Sequence, residues 1–378
     1  MEQSTSPAYN CHGYRVIHRG RGLSHHFHYR GFMSPGQPID ELDVTTCRHV
    51  VAASDDDLTA VNVVTGSRLH FGLLTIRPVG GMNFGGCGLM LRRPSIHVRV
   101  EPADRLTISG PFAERCDEVI NRLVTHFRLG APPTCRLDLN TATDAHFGLG
   151  SGTQVNLAVA TGLVRFLKLS TSDEFLAAKI AARGKRSAIG VHGFARGGFI
   201  AEAGVPEGQA LGKLTAREPF PSEWSVMLVR PESFHTHVYG SAERKHFAEL
   251  RATSAAEYER LLNTIDREIV PAVRRHDFDS FCESIADYNY RSGLLFASVQ
   301  GGAYNGPELQ SLVDFMRDQG CRGVGQSSWG PTIFAFFQNE DAAREMRLRL
   351  RQNCTHESLA IEITSARNKP ASVCVGRQ

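Results

Sequence analysis

One short run, Phe147-Gly-Leu-Gly-Ser-Gly-Thr153, constrains the fold of this 378-residue chain more than any other. Glycine lets a backbone turn tightly and approach a ligand closely. The run follows a strand-like segment, Thr134–Asn140, and a short polar loop, Thr141–His146. It then enters an amphipathic helix start, Gln154–Val164. This order exposes the N–H groups of a first helical turn, where the helix dipole favours negative charge. Ser151 and Thr153 are placed to cap the helix, to donate to phosphate or to reach a magnesium ion. The run is neither a Walker A loop, since no Gly-Lys-Ser/Thr ends it, nor a GxGxxG turn. A glycine-rich N-cap without a ligand has the same local form, so the run alone leaves both readings open.

Composition sets the class around it. Hydrophobic residues are 42% and charged residues 21%, as in soluble globular proteins, and the length suggests two or three domains. Forty-two Lys and Arg against 39 Asp and Glu leave a net charge of +3, which gives no support for a nucleic-acid partner. No apolar run reaches the roughly eighteen residues of a bilayer span, and the start, MEQSTSPAYN, lacks the pattern of a secretory signal. Nine cysteines, an odd number with no CxxC pair, argue against a disulfide framework or zinc ribbon and suggest a reducing cytoplasm.

Residues 1–57 hold six of the sixteen histidines and little apolar periodicity. They read as a mobile extension or an over-extended translation start, and His25, His26 and His28 as an adventitious cluster. Beyond it, strands are expected at Thr59–Thr65, Ser67–Leu74, Thr134–Asn140, Phe194–Ala203 and Trp224–Arg230. Ser95–Glu101 and Arg105–Ser109 alternate as a hairpin would. Helices are expected near Pro111–Phe127, Ser151–Leu167, Ser172–Ala182, Ala255–Ala272, Phe278–Leu295, Pro307–Gln319 and Glu340–Arg351. The last of these are interleaved with strands near Arg322–Gln326, Thr332–Phe337 and Leu359–Thr364. This is an α+β pattern of two subdomains, 58–220 and 221–370, divided near Glu218–Pro221 and followed by a tail, 371–378.

Two further segments favour a ligand at the glycine run. Arg183–Gly198 brings Arg183, Lys185, Arg186 and Arg196 close in sequence, and Gly323–Thr332 is a polar turn holding Trp329. Arginine forks suit a ligand with several phosphates. His235 and His237 share a strand face but lack an obvious third zinc ligand. Cys282 and Cys321 lack the basic neighbours of a nucleophile. The basic run Arg344–Arg351 reads as a solvated helix face.

Gly148–Thr153 at a helix start resembles the signature loop of the GHMP kinase superfamily. Ser67–Leu74, the Arg186–Phe199 stretch and Gly325–Thr332 resemble one branch of it, the β-ribofuranosylaminobenzene 5′-phosphate synthases, over about residues 58–370. The resemblance implies a ribosomal-protein-S5-domain-2-like N-terminal part, a ferredoxin-like C-terminal part and a homodimer. It implies decarboxylating C-ribosyl transfer from phosphoribosyl pyrophosphate to 4-aminobenzoate or 4-hydroxybenzoate, with Mg2+, in tetrahydromethanopterin biosynthesis. The residues carried over as catalytic are Arg68, His70, Arg186, Gln326 and Ser327. Gly148, Leu149, Gly150, Ser151, Gly152, Thr153, Arg183, Lys185 and Arg196 are carried over as phosphate-binding. Ser151 is the magnesium contact, and Trp329 lines the aromatic pocket, with Ser328 beside it.

Three competing readings remain. Many superfamily kinases place an Asp base after the signature helix, yet Lys185–Gly198 holds no acid; Asp144 precedes the loop and Glu202 lies beyond it. Homoserine kinases work without that Asp, so an ATP-dependent kinase is still an alternative. Gly152 also replaces the usual second Ser of the loop, and the usual preceding Pro is missing. A non-catalytic relative that binds a phosphorylated metabolite is the second alternative. Asp55–Asp57 before Thr65-Gly-Ser67 resembles the motif of ordinary phosphoribosyltransferases only faintly, because a predicted strand intervenes.

Overall fold

The computed structural model describes residues 59–141, 147–232, 250, 252–353 and 358–377, all within one compact unit. His25, His26, His28, Asp55–Asp57, Asp144, His235 and His237 lie outside the described residues.

Strand β1, Thr59–Leu73, joins the two strands expected at its ends. They fuse because the register shifts at Gly66, where any side chain would collide with the Leu91 carbonyl. After a short β2, Met82–Asn83, strand β3, Gly86–Pro102, pairs antiparallel with β1. The expected hairpin from Ser95–Glu101 to Arg105–Ser109 does not form. Instead β4, Thr107–Ser109, runs parallel to β5, Cys135–Thr141, and β5 takes the place beside β3. Val98 and Val100 face Leu139 and Leu137 across that pair, an apolar match that three-residue β4 cannot offer.

Helices α1, Ala113–Phe127, and α2, Ser151–Phe166, bury their apolar faces on these strands through Val119, Ile120, Leu123, Val155, Val159 and Leu163. Helix α3, Asp173–Phe175, continues as a π-helical turn, Leu176–Ile180. Helix α4, Ile189–Arg196, occupies part of the strand expected at Phe194–Ala203, and only Phe199–Glu202 is extended, as β6. The helix wins because Gly193 lets it sit directly on Met90 of β3, and it stops at Gly197, whose φ is 64°. Strands β7, Val205–Pro206, and β8, Leu214–Glu218, follow.

The second sheet has the order β10–β11–β9–β12, from β9 (Ser225–Pro231), β10 (Arg322–Gln326), β11 (Ile333–Phe337) and β12 (Leu359–Ser365). Around it lie α5, in which Ala255–Thr264 passes through a π turn, Ile265–Ile269, into Val270–Arg275, and α6, Phe278–Leu294. Helices α7, Ala297–Gln300, α8, Gly306–Asp318, and α9, Glu340–Asn353, follow. Arg344 and Arg349 of α9 are exposed and pair with Glu340 and Glu345 one turn back.

The expected division near Glu218–Pro221 falls between β8 of the first sheet and β9 of the second. Ser372–Arg377 are not a loose tail: they form β13 and return to the first sheet against β1. Buried rings join the sheets, Phe71 of β1 edge-on to Phe334 at 5.2 Å and to Phe336 at 6.0 Å. This contact gives a site above it a rigid floor. Among the described residues no helix is long and apolar enough to cross a membrane.

Candidate active site

The glycine run is shaped by its backbone and held from outside. Gly148 and Gly150 have φ of 75° and 67°, and Gly150 is the N-cap of α2 without a side-chain cap. The Arg68 N–H donates to the Leu149 carbonyl at 2.9 Å. Ser327 Oγ donates to the Gly148 carbonyl at 2.8 Å, and Thr332 Oγ1 to that of Phe147 at 2.6 Å. The Arg230 guanidinium stacks 3.8 Å above the Phe147 ring. The loop carbonyls are thereby used inward. The first N–H groups of α2 have no partner within the helix, and no acid stands in its first turn. Arg115 of α1 lies against Gly152.

A cleft of about 380 Å³ opens beside this helix start. One wall carries Arg68, His70, Thr153, Arg183, Lys185 and Arg186; the other carries Asn289, Ser292, Phe296, Gln300, Ser328 and Trp329. Among the described residues that line it, none is Asp or Glu. The structure thus brings Arg68, His70, Thr153, Arg183, Lys185, Arg186, Gln326 and Trp329 together around one cleft.

Other expected site residues sit differently. The Leu149 side chain is in the core, so only its backbone belongs to the loop. Ser151 is buried at the start of α2. Ser327 is fully buried; its Oγ accepts from the His70 N–H at 3.2 Å and donates to the loop. Gln326 Oε1 accepts from the Asn305 N–H at 2.7 Å and Nε2 donates to the Ser328 carbonyl at 2.9 Å. Both side chains are committed to the protein itself, so they position the site rather than act on a substrate. Arg196 is exposed at the end of α4, outside the cleft, its carbonyl taken by Arg217.

Two cations of the first wall, Arg68 and Arg183, are held at an electrostatic cost. Burial lowers the Arg68 pKa to about 10 against the attraction of Glu202, and its Nη1 is sealed without a hydrogen-bond partner. Burial, then the neighbouring Arg115, Arg122 and Arg186, lowers Arg183 to about 10, and its Nε is likewise unpartnered. An anion in the cleft would offset both charges. Burial and then Arg68 hold the His70 pKa well below the usual value, so the imidazole is neutral.

Behind His70 lies an acid outside the cleft. His70 Nε2 is 3.1 Å from Ser187 Oγ, and Ser187 in turn bonds Glu202 of β6. The Glu202 carboxylate also accepts the Ala188 N–H at the start of α4, at 2.8 and 3.0 Å. Burial raises Glu202 to about 7 despite these bonds. Because the folded pKa lies above the unfolded 4.5, the folded state binds the extra proton. That contribution to stability is complete below pH 4.5 and lost as pH rises to 7, a difference of about 3 kcal/mol. Glu202→Gln is expected to remove this pH dependence, read as the difference between wild-type and variant thermal melts at pH 5 and pH 8. The opposite shift of His70 is common to both proteins and cancels.

Sequence reasoning missed Arg115, Ser187 and the part of the second wall made by Asn289, Ser292, Phe296 and Gln300. An acid inside the apolar strand Phe199–Glu202 was the available signal for Glu202. Cys282 and Cys321 are buried with thiols pushed up to about 12, which suits no nucleophile.

Residues 269–356 match the family model described as GHMP kinases C terminal. The chain is 29% identical over 293 residues to the beta-ribofuranosylphenol 5′-phosphate synthase of Methanothermobacter thermautotrophicus, covering 72% of this chain and 87% of the relative. It is 28% identical over 299 residues to the protein of that name from Methanocaldococcus jannaschii, covering 72% and 88%. Among solved structures, a homoserine kinase from Cytophaga hutchinsonii superposes with a TM-score of 0.61 at 15% identity, covering 86% of this chain and 99% of that one. A mevalonate diphosphate decarboxylase from Staphylococcus aureus gives 0.56 at 14% identity, covering 84% and 99%. By architecture this chain has the two-part GHMP-kinase fold, and by sequence it resembles the β-ribofuranosylphenol 5′-phosphate synthases over nearly three quarters of its length.

Proposed function

We propose that this chain is a pentosyltransferase. It joins phosphoribosyl pyrophosphate to 4-hydroxybenzoate or 4-aminobenzoate, releases pyrophosphate and carbon dioxide, and acts in tetrahydromethanopterin biosynthesis. The observation that carries this reading is the division of the cleft: among the described residues, four cations and no acid on one wall, amides and aromatic rings on the other. The relatives are named for a phenol product, which a hydroxybenzoate acceptor would give.

The chemistry needs no carboxylate from the protein. The bond from C1 of the sugar to pyrophosphate breaks, and its electron pair leaves with the pyrophosphate. The ring carbon bearing the carboxylate forms a bond to C1. The bond to the carboxylate then breaks, and its pair restores the ring. No proton has to be removed by the protein, so the work is positioning and fixed charge. Thr153, the start of α2, Arg183, Lys185 and Arg186 hold the phosphates. Arg68 faces the developing charge between the walls, and neutral His70 lines the sugar. Mg2+ would be carried in by the pyrophosphate, since Thr153 offers a hydroxyl to the cleft, Ser151 is buried beside it and the described residues form no metal-binding cluster; when bound it would neutralise the leaving group. The same reading makes the protein a cytoplasmic homodimer.

Purified protein, incubated with phosphoribosyl pyrophosphate, Mg2+ and carboxyl-labelled acceptor, is expected to release labelled carbon dioxide and pyrophosphate in equal amounts. ATP consumption on a small alcohol with neither release would instead make it a kinase. Phosphate-ligand binding without any turnover would make it a sensor.

A further inference from the structure

The second wall holds an amide whose orientation is fixed by the chain. Gln300, at the end of α7, is buried and lines the cleft. Its Nε2 lies 3.0 Å from each of three backbone carbonyls, those of Gly293, Gly302 and Ala303. Only the nitrogen of the amide can sit there, because an oxygen would face three others. Oε1 must therefore point the other way, and it accepts no hydrogen bond among the described residues. Asn289, the other amide on this wall, has no such atom to spare: Nδ2 donates to the Phe71 and Gln326 carbonyls and Oδ1 accepts the Gln326 N–H. Phe296 and Trp329, in edge-to-face contact at 4.8 Å, line the same wall and give it an apolar aromatic surface for a flat ring to pack on.

We infer that Gln300 Oε1 is the specificity determinant for the acceptor. It takes a hydrogen bond from a donor group at the ring position opposite the carboxylate, a phenol O–H or an aniline N–H. This rests on the reading above. The ring's carboxylate must face the sugar at the cationic wall, so the opposite substituent faces the neutral wall. Because the Gln300 nitrogen is committed, the site rewards donors and leaves Oε1 unpaired beneath an isosteric group that cannot donate.

The test is calorimetric binding to the wild-type protein in the presence of pyrophosphate and Mg2+. The ligands are 4-hydroxybenzoate, 4-aminobenzoate and 4-methylbenzoate, which match in size and differ in donor capacity. The two donors are expected to bind at least about tenfold more tightly than the methyl compound. Gln300→Met is expected to bring all three within about twofold. Equal binding of the three by wild type, or no binding of any, would overturn the inference, as would a folded Gln300→Met that keeps the preference. Turnover is scored separately. Donor preference without carbon dioxide release would sink the proposed reaction and keep the acceptor site, whereas release with no donor preference would do the reverse.

Discussion

Arg68→Met is expected to slow product formation by a factor of about 100 to 1,000 while leaving the protein at least as stable as wild type. The two effects have one cause. Arg68 stands in the cleft wall on β1, and its buried Nη1 has no hydrogen-bond partner. Burial has already lowered its pKa to about 10, so the folded chain carries an unrelieved desolvation cost at this position. Methionine keeps the length and removes the charge. The backbone N–H that holds Leu149 is untouched, so the loop stays in place. What disappears is a fixed positive charge between the pyrophosphate and the carboxylate, the two groups that leave. Removing Arg68 also removes its pull on Glu202, whose pKa should climb further. Single-turnover rates beside thermal melts check both halves. A variant that loses activity and melts well below wild type would show Arg68 to be structural.

The half of the site that was legible in the sequence is the half written in consecutive residues. Gly148–Thr153 reads as an anion-binding helix start because glycine spacing and the following helix are local facts. Arg68 and His70 were recoverable because they sit two apart on one strand. Trp329 was legible too, but Asn289 and Gln300 of the second wall were not, because they reach the cleft on and just after α6, which packs against β1 more than 200 residues earlier. There Asn289 donates to the Phe71 carbonyl and Ser292 to that of Leu73. Polar residues near a turn were also over-read. Gln326 and Ser327 look like ligand contacts in a string, yet every bond they make is to the chain. The misplaced hairpin and the misread Phe194–Ala203 strand share one reason. Partner choice between strands, and close packing at Gly193, depend on what lies across the sheet.

Gly148→Ala is expected to be the most damaging single change in the loop, lowering stability by about 3–5 kcal/mol and abolishing turnover in whatever folds. Gly148 lies at φ 75°, where an alanine costs about 1 kcal/mol. Its new Cβ would collide with the Ser327 carbonyl oxygen and stand 2.9 Å from that of Gly330. Both obstacles are backbone and belong to the turn that clamps the loop. They can yield only by pulling away, which breaks the Ser327 and Thr332 hydrogen bonds, each worth about 1 kcal/mol. Gly152→Ser is the control. Gly152 has an ordinary helical backbone, and its Cβ would meet only the end of the Arg115 side chain at 3.1 Å, which can move. That variant should stay within about 1 kcal/mol of wild type. Urea midpoints and kcat/KM for the pair separate the effects. The clamp seats the helix start, the Arg68 strand and the Ser327 turn in one frame, so its loss should cost activity beyond the loss of folded protein. Equal shifts in the two variants would mean that the clamp does not hold the loop.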